Sequence, residues 1–195
     1  MIQLVAGQEV EQYIDDLALL RISVFREYPY LYEGNMEYER SYLQKFVQGE
    51  DCIIAVVLDN GHVVGAVSGL PLALEEAEVR GPWKKASSLD GVYYISEILL
   101  KPDYRGLGLG KQLMEALEEW VAASGKFTEI ALATVVRPKD DPRRPATYRD
   151  AQRFFADRNY HIKEGVTCTI AWQEIDEADT TSKPLQFWSR KVTMT

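Results

Sequence analysis

Cysteine, histidine, basic surplus and long apolar runs are all scarce in this sequence, and each shortage removes a class of protein. Only two cysteines, Cys52 and Cys168, occur in 195 residues. They lie far apart in apolar, strand-like runs without Cys-x-x-Cys spacing, which argues against a disulfide framework and predicts two buried reduced thiols. His62 and His161 are the only histidines, so no metal site is expected. Acidic residues outnumber basic ones, 30 to 22, for a formal charge of −8. Nucleic acid and anionic membrane both need a basic footprint, and neither is expected as a partner; that sign suits a cationic small molecule better. The longest apolar run, Cys52 to Leu58, is too short to span a bilayer, and the start, MIQLVAGQEVEQ, lacks a basic segment followed by an apolar core. Reduced thiols without an export signal point to the cytoplasm. Repeats, low-complexity tracts and linkers are missing too, so one α/β domain over residues 1–195 is expected, as a monomer or homodimer.

What is present is organised around YYISEILLKPDYRGLGLGKQLMEALEEW, from Tyr93 to Trp120. Tyr93 to Leu100 is apolar except for Ser96 and Glu97, which reads as a buried strand with one charged anomaly. Arg105 to Lys111 is a glycine-rich turn, and Leu113, Leu117, Trp120 and Val121 then share one helical face. Upstream, apolar spacing predicts a short strand at Ile2 to Val5, a helix over Glu9 to Phe25, an aromatic loop from Arg26 to Asn35 and a helix over Met36 to Val47. Cys52 to Leu58 and His62 to Leu70 flank Asp59-Asn60-Gly61 as a hairpin. Pro71 to Asp90 reads as an irregular insertion, broken at Gly81-Pro82-Trp83, that is either a lid or a plain surface excursion. Downstream come a strand at Thr128 to Val136, a charged loop from Arg137 to Pro145, a helix that begins at Ala146 or Thr147, runs through Phe155 and ends at Asn159, and strands at Gly165 to Ile175 and Leu185 to Val192. Strand, helix, strand around the glycine turn makes a crossover unit.

A helix start presents unpaired N–H groups and partial positive charge, so a turn without side chains lets phosphate oxygens approach closely. A bare capping turn is the other reading, although Gly106, Gly108 and Gly110 together carry a backbone-entropy cost of roughly 0.5–1 kcal/mol each. The dinucleotide fingerprint fails because Lys111 stands where its third glycine belongs. The triphosphate loop fails because Arg105 and Gln112 occupy its first and last sites.

Arg105-Gly106-Leu107-Gly108-Leu109-Gly110 resembles the (Q/R)xxGx(G/A) signature of the GCN5-related N-acetyltransferase (GNAT) superfamily, as does the order of elements along most of the chain. The resemblance implies a mixed, mostly antiparallel central sheet with a splayed central strand pair and helices on both faces. It implies acetyl-CoA as cosubstrate, with pyrophosphate contacts at Arg105, Gly106, Leu107, Gly108, Leu109, Gly110 and Lys111, and a pantetheine edge at Ile98, Leu99 and Leu100. Phe154 to Tyr160 is similar to the family's FYxxxGF segment, with Phe155 where a tyrosine often serves as general acid and Asn159 in place of the glycine. Tyr148 stands where an asparagine often contacts pantetheine. Tyr148 and Tyr160 are the candidate proton donors, with water as the alternative, since a thiolate is a good leaving group.

Acyl transfer to an amine needs a base to deprotonate the ammonium. Glu97, the lone carboxylate in its strand, is the candidate; the plainer reading is a glutamate paired with an arginine or lysine. By family analogy Glu27, Tyr28, Tyr30, Tyr32 and Glu33 bind a small cationic amine through carboxylates and aromatic faces. Trp83, Trp172 and Trp188 receive no role. The expected activity is acetyl transfer from acetyl-CoA to a primary amine of a small-molecule substrate. The second reading is a CoA-binding regulatory or structural module with little catalysis, for which Phe155 speaks.

Overall fold

Asn60 and Gly61, both at positive φ (50° and 83°), turn the chain between β2 (Ile53–Asp59) and β3 (His62–Pro71) in the geometry that matches strand twist. The computed structural model that contains this hairpin describes residues 2–193. Before it come β1 (Ile2–Ala6), a 3-10 segment (Gly7–Tyr13), α1 (Ile14–Phe25) and α2 (Met36–Gln48); after it come α3 (Ala77–Ala86), β4 (Val92–Leu100), α4 (Leu109–Ser124), β5 (Glu129–Val135), α5 (Gln152–Ala156), β6 (His161–Trp172) and β7 (Thr181–Lys191). The strands form one sheet in the order β1-β2-β3-β4-β5-β7-β6. Only β4 and β5 run parallel, as a crossover through α4 requires; the other neighbours are antiparallel. This is the mixed, mostly antiparallel sheet that the resemblance implies.

Both sheet faces are covered, which explains the nearly continuous apolar strands. Ile53, Ala55 and Val57 of β2 pack with Leu113, Leu117 and Val121 of α4, while Ile54 and Val56 pack with Leu17 and Leu20 of α1 and Leu43 and Phe46 of α2. The Asn35 side chain accepts the Tyr38 N–H at 3.0 Å and so starts α2.

Local structure departs from the sequence expectations in three places. The helix expected from Glu9 begins as a 3-10 turn, and the α-helix proper starts at Ile14. The insertion is not broken at Gly81-Pro82: α3 runs through both, because Val79 and Trp83 are buried and Trp83 packs edge-on against Phe187 at 5.4 Å, outweighing one lost backbone bond. The last helix is shorter than expected: it spans Gln152–Ala156, an Asx-type turn in which the Asp150 carboxylate accepts the Gln152 N–H at 2.9 Å precedes it, and Tyr148 lies before that in the turn from Pro145. Asn159 does sit in the left-handed region, at φ 63°.

The site is positioned by two features of β4. Its ladder with β5 ends at Ile95–Leu132, after which the two strands no longer pair with each other and diverge, each keeping its other neighbour. On its other side, Glu97 pairs with Ser68 and Ile95 with Gly69, so Ser96 is an extra, bulged residue. The bulge changes which face the following side chains meet. Glu97 now lies on the face of Tyr94 and Leu99, toward α1, whereas strict alternation from Ile95 would have turned it toward α4.

Candidate active site

The divergence of β4 and β5 opens a cleft of about 840 Å³. Ile98 and Leu100 line one wall and Leu132 and Val135 the other, with Phe154, Phe155 and Tyr148 beyond them. Beyond Ile95 the β4 edge that β5 has left faces this cleft, while β3 stays paired on the other side. Ile98 and Leu100 project into the cleft, but the Leu99 side chain is fully buried against α1 and α2, so only its backbone is available.

At one end of the cleft stands the glycine turn. Gly106 and Gly108 both have φ of 78°, which L-residues with side chains rarely adopt, and nothing lies within 4 Å of where a Cβ on Gly106 would be. A Cβ on Gly110 would meet Leu100 Cδ1 at 3.4 Å, so the turn packs closely on the end of β4. The first backbone bond into α4 is Gln112 N–H to Gly108 C=O at 3.1 Å. The amides before it have no helical partner and open onto the space that the glycines leave. Leu107 is exposed, and Lys111 is exposed with Glu115 at 3.6 Å. These residues suit a pyrophosphate, and the unpaired β4 edge suits an amide-bearing arm laid along it; the turn, edge and apolar walls therefore fit acetyl-CoA.

Arg105 is held differently from a simple phosphate contact. Its Nε donates to the Leu100 carbonyl at 3.0 Å, and Nη1 and Nη2 donate to Glu27 at 2.7 and 2.9 Å. Glu27 is thus tied across the cleft.

A second cavity, about 360 Å³, lies on the α1 and α2 side of the divergence. Phe25, Tyr30, Ser96, Glu97 and Ala133 border both spaces, so Glu97 stands at their junction. The five residues expected at the acceptor are divided between them: Glu27 and Tyr28 line the cleft, Tyr32 and Glu33 the second cavity, and Tyr30 both. The loop carrying them is tied down from below: Arg137 donates to the Pro29 carbonyl at 2.7 Å and to that of Tyr30 at 3.3 Å, and Trp172 Nε1 donates to Tyr30 at 2.9 Å. Arg137 is held by the buried Glu174, with N–O 2.6 Å.

Glu97 is buried and ion-paired with Arg21 Nη1, whose Nε bonds the fully buried Glu39. Arg21 is itself buried, and its guanidinium lies 4.0 Å from the Tyr42 ring centroid. The two proton-donor candidates are separated. Tyr148 lines the cleft, stacked edge-on against Tyr28 at 4.7 Å, with its phenol pushed up to about 12 by burial. Tyr160 is not brought to either cavity. It is fully buried beneath α4, donates to Glu118 at 2.9 Å, and burial raises its phenol far above the ordinary value. Cys52 and Cys168 are unpaired and buried, and burial pushes their thiols up to about 11 and 12, so neither supplies a thiolate at neutral pH.

Sequence reasoning missed Arg21, Glu39 and Glu75. The signal for Arg21 was present: an arginine on the apolar face of Leu17, Leu20 and Val24 implies a buried counter-charge. Glu75 came from the stretch read as an irregular insertion; it is buried, paired with Lys45 at 2.8 Å and accepts from Ser96 Oγ at 3.4 Å. Among the described residues no helix is long and apolar enough to cross a membrane.

The profile of the acetyltransferase (GNAT) family matches residues 18–145. Among solved structures, a ribosomal-protein-alanine N-acetyltransferase from Brucella melitensis is 14% identical with a TM-score of 0.62, covering 98% of this chain and 99% of its own. An N-acetyltransferase from Staphylococcus aureus is 16% identical with a TM-score of 0.60, covering 99% of each chain. NAA60 of Arabidopsis thaliana, solved with a bisubstrate analogue, is 12% identical with a TM-score of 0.61 over the whole of both chains. No curated protein sequence matches. The splayed parallel pair, the glycine turn and the profile match over most of its length agree: this chain belongs to the GNAT acetyltransferase family.

Proposed function

We propose that the chain is an acetyl-CoA-dependent N-acetyltransferase acting on a primary amine of a small cationic molecule. The observation that carries this reading is the place of Glu97, where a cleft suited to the cosubstrate meets a second cavity lined by carboxylates and aromatic rings. Acetyl-CoA supplies an activated acyl group when bound. The amides from Gly106 to Lys111 hold its pyrophosphate, and the β4 backbone from Ile98 to Leu100 aligns its arm. The amine enters from the second cavity and gives its proton to Glu97, directly or through water.

Arg21 makes this possible in a buried setting. Two carboxylates, Glu39 and Glu97, share one guanidinium, leaving the trio one negative charge in excess. When Glu97 takes a proton the trio becomes neutral and Arg21 keeps a charged partner in Glu39, so proton uptake strands no buried ion. The Tyr148 hydroxyl remains protonated at neutral pH and donates a hydrogen bond at the departing sulfur; a thiol leaving group, with a pKa of about 8.5, needs little more. Phe155, which has no proton to give, instead packs in the core against Trp188 and Tyr160.

That absence also favours the second reading, a CoA-binding module with little catalysis. Thiol release across a panel of amines, with CoA affinity measured by calorimetry, separates the two. Turnover above hydrolysis, reduced about 100-fold or more in Glu97→Gln without loss of CoA binding, is expected. Tight CoA binding with no amine-dependent thiol release would instead establish the module.

A further inference from the structure

The second cavity has the chemistry for two positive charges, one at each end. At its inner end, beside Ser96, the Glu39–Arg21–Glu97 trio is one negative charge in excess, and Glu39 Oε1 is buried without a hydrogen-bond partner. Glu75, at the same end, is compensated by Lys45. At the outer end Glu76 is exposed and, among the described residues, has no cationic partner; Tyr38, also exposed and lining the same cavity, has its hydroxyl pushed up by desolvation and by this neighbour's charge. Tyr30, Tyr42 and Trp172 line the same cavity as Glu97 and Glu76. Aromatic faces and aliphatic carbon suit each other, and both suit a cation passing over them.

On the reading that this chain transfers acetyl groups to amines, we infer that its acceptor is an aliphatic diamine or polyamine: one terminal amine reaches Glu97 while a second, protonated amine is held at Glu76. A cavity of about 360 Å³ has room for an aliphatic chain that carries two amines. The excess negative charge of the whole chain, −8, raises the local concentration of such a polycation. In the reaction the amine nitrogen forms the new N–C bond as the thioester C–S bond breaks. The ammonium first gives one proton to Glu97, and the second proton that nitrogen sheds on forming the amide passes to the departing sulfur, which leaves as thiol. The second amine stays charged throughout.

Binding and turnover are compared for butylamine, 1,4-diaminobutane and spermidine on the full chain, in the presence of CoA for binding and acetyl-CoA for turnover. One partly exposed ion pair plus one cation–aromatic contact predicts about tenfold tighter binding of the diamine than of the monoamine. That advantage should shrink in high salt. Glu76→Gln should remove most of it, raising KM for the diamine with kcat little changed. Equal binding of monoamine and diamine, or a Glu76→Gln variant that keeps the preference, overturns the inference. Because binding is read separately, a diamine that binds preferentially without being acetylated upholds the two-cation site and overturns the transferase reading instead. Preferential binding of a basic peptide over all three amines would also overturn it, in favour of a protein acceptor.

Discussion

Arg105 and Glu27 clasp each other across the cleft in a two-bond fork of 2.7 and 2.9 Å, while Arg105 Nε holds the Leu100 carbonyl at 3.0 Å. The pair joins the glycine turn to the end of α1, segments 78 residues apart in sequence. With its fork filled, Arg105 offers a phosphate little beyond its remaining N–H groups, so any side-chain contact to pyrophosphate competes with Glu27. Glu27→Gln should weaken the clasp and tighten CoA binding about threefold to tenfold in a titration calorimeter, as roughly 1 kcal/mol of competing ion pair is released. Weaker binding in this variant would mean that the clasp serves to order the cleft.

Arg21 bears on stability as well as on the proposed proton transfer. Arg21→Ala leaves Glu39 and Glu97 buried with no cation between them, and should cost about 3–5 kcal/mol in urea unfolding at neutral pH. A loss below about 1 kcal/mol would show that surrounding water or a shared proton already balances the two carboxylates.

The two tyrosines should behave oppositely. Tyr148→Phe removes a donor from the cleft wall and should lower kcat about tenfold, the worth of one hydrogen bond to a charged group. Tyr160→Phe should leave kcat unchanged and cost about 1 kcal/mol of stability, because its hydroxyl donates to the buried Glu118 and lines neither cavity. The reverse pattern would return the donor role to Tyr160.

Hydrogen bonds from Arg143 hold the Asp141 carboxyl down at about 2, and those from Lys183 and Thr181 do the same for Glu177. Both groups bind protons more weakly folded than unfolded, so the stability they contribute is fully present above about pH 5 and is lost as pH falls through about 2. Asp141→Asn should flatten part of that decline in acid denaturation followed by circular dichroism, with little change in its shape above pH 5. An unchanged slope between about pH 4 and 2 would remove Asp141 from the account.

Much of the frame was legible because its signals are local. The Asn-Gly hairpin, the glycine turn before an amphipathic helix and the left-handed Asn159 each depend on a few consecutive residues whose backbone preferences the neighbours do not oppose. The insertion was misjudged because Pro82 is a local helix breaker, whereas the burial of Trp83 against Phe187 comes from a strand about a hundred residues away.

By itself the sequence determined the alternation that makes the strands, the glycines that leave room at the start of α4, and the solitary carboxylate at Glu97. Only the tertiary structure decided what that carboxylate faces. Its direction depends on one bulged residue, Ser96, and on the register of β4 against β3; its partner, Arg21, is delivered by a helix that packs across the sheet. The division of the aromatic loop between two cavities likewise follows from long-range anchors, Arg137 and Trp172. Such relationships arise from packing distant segments against each other, and periodicity along the chain carries no record of them.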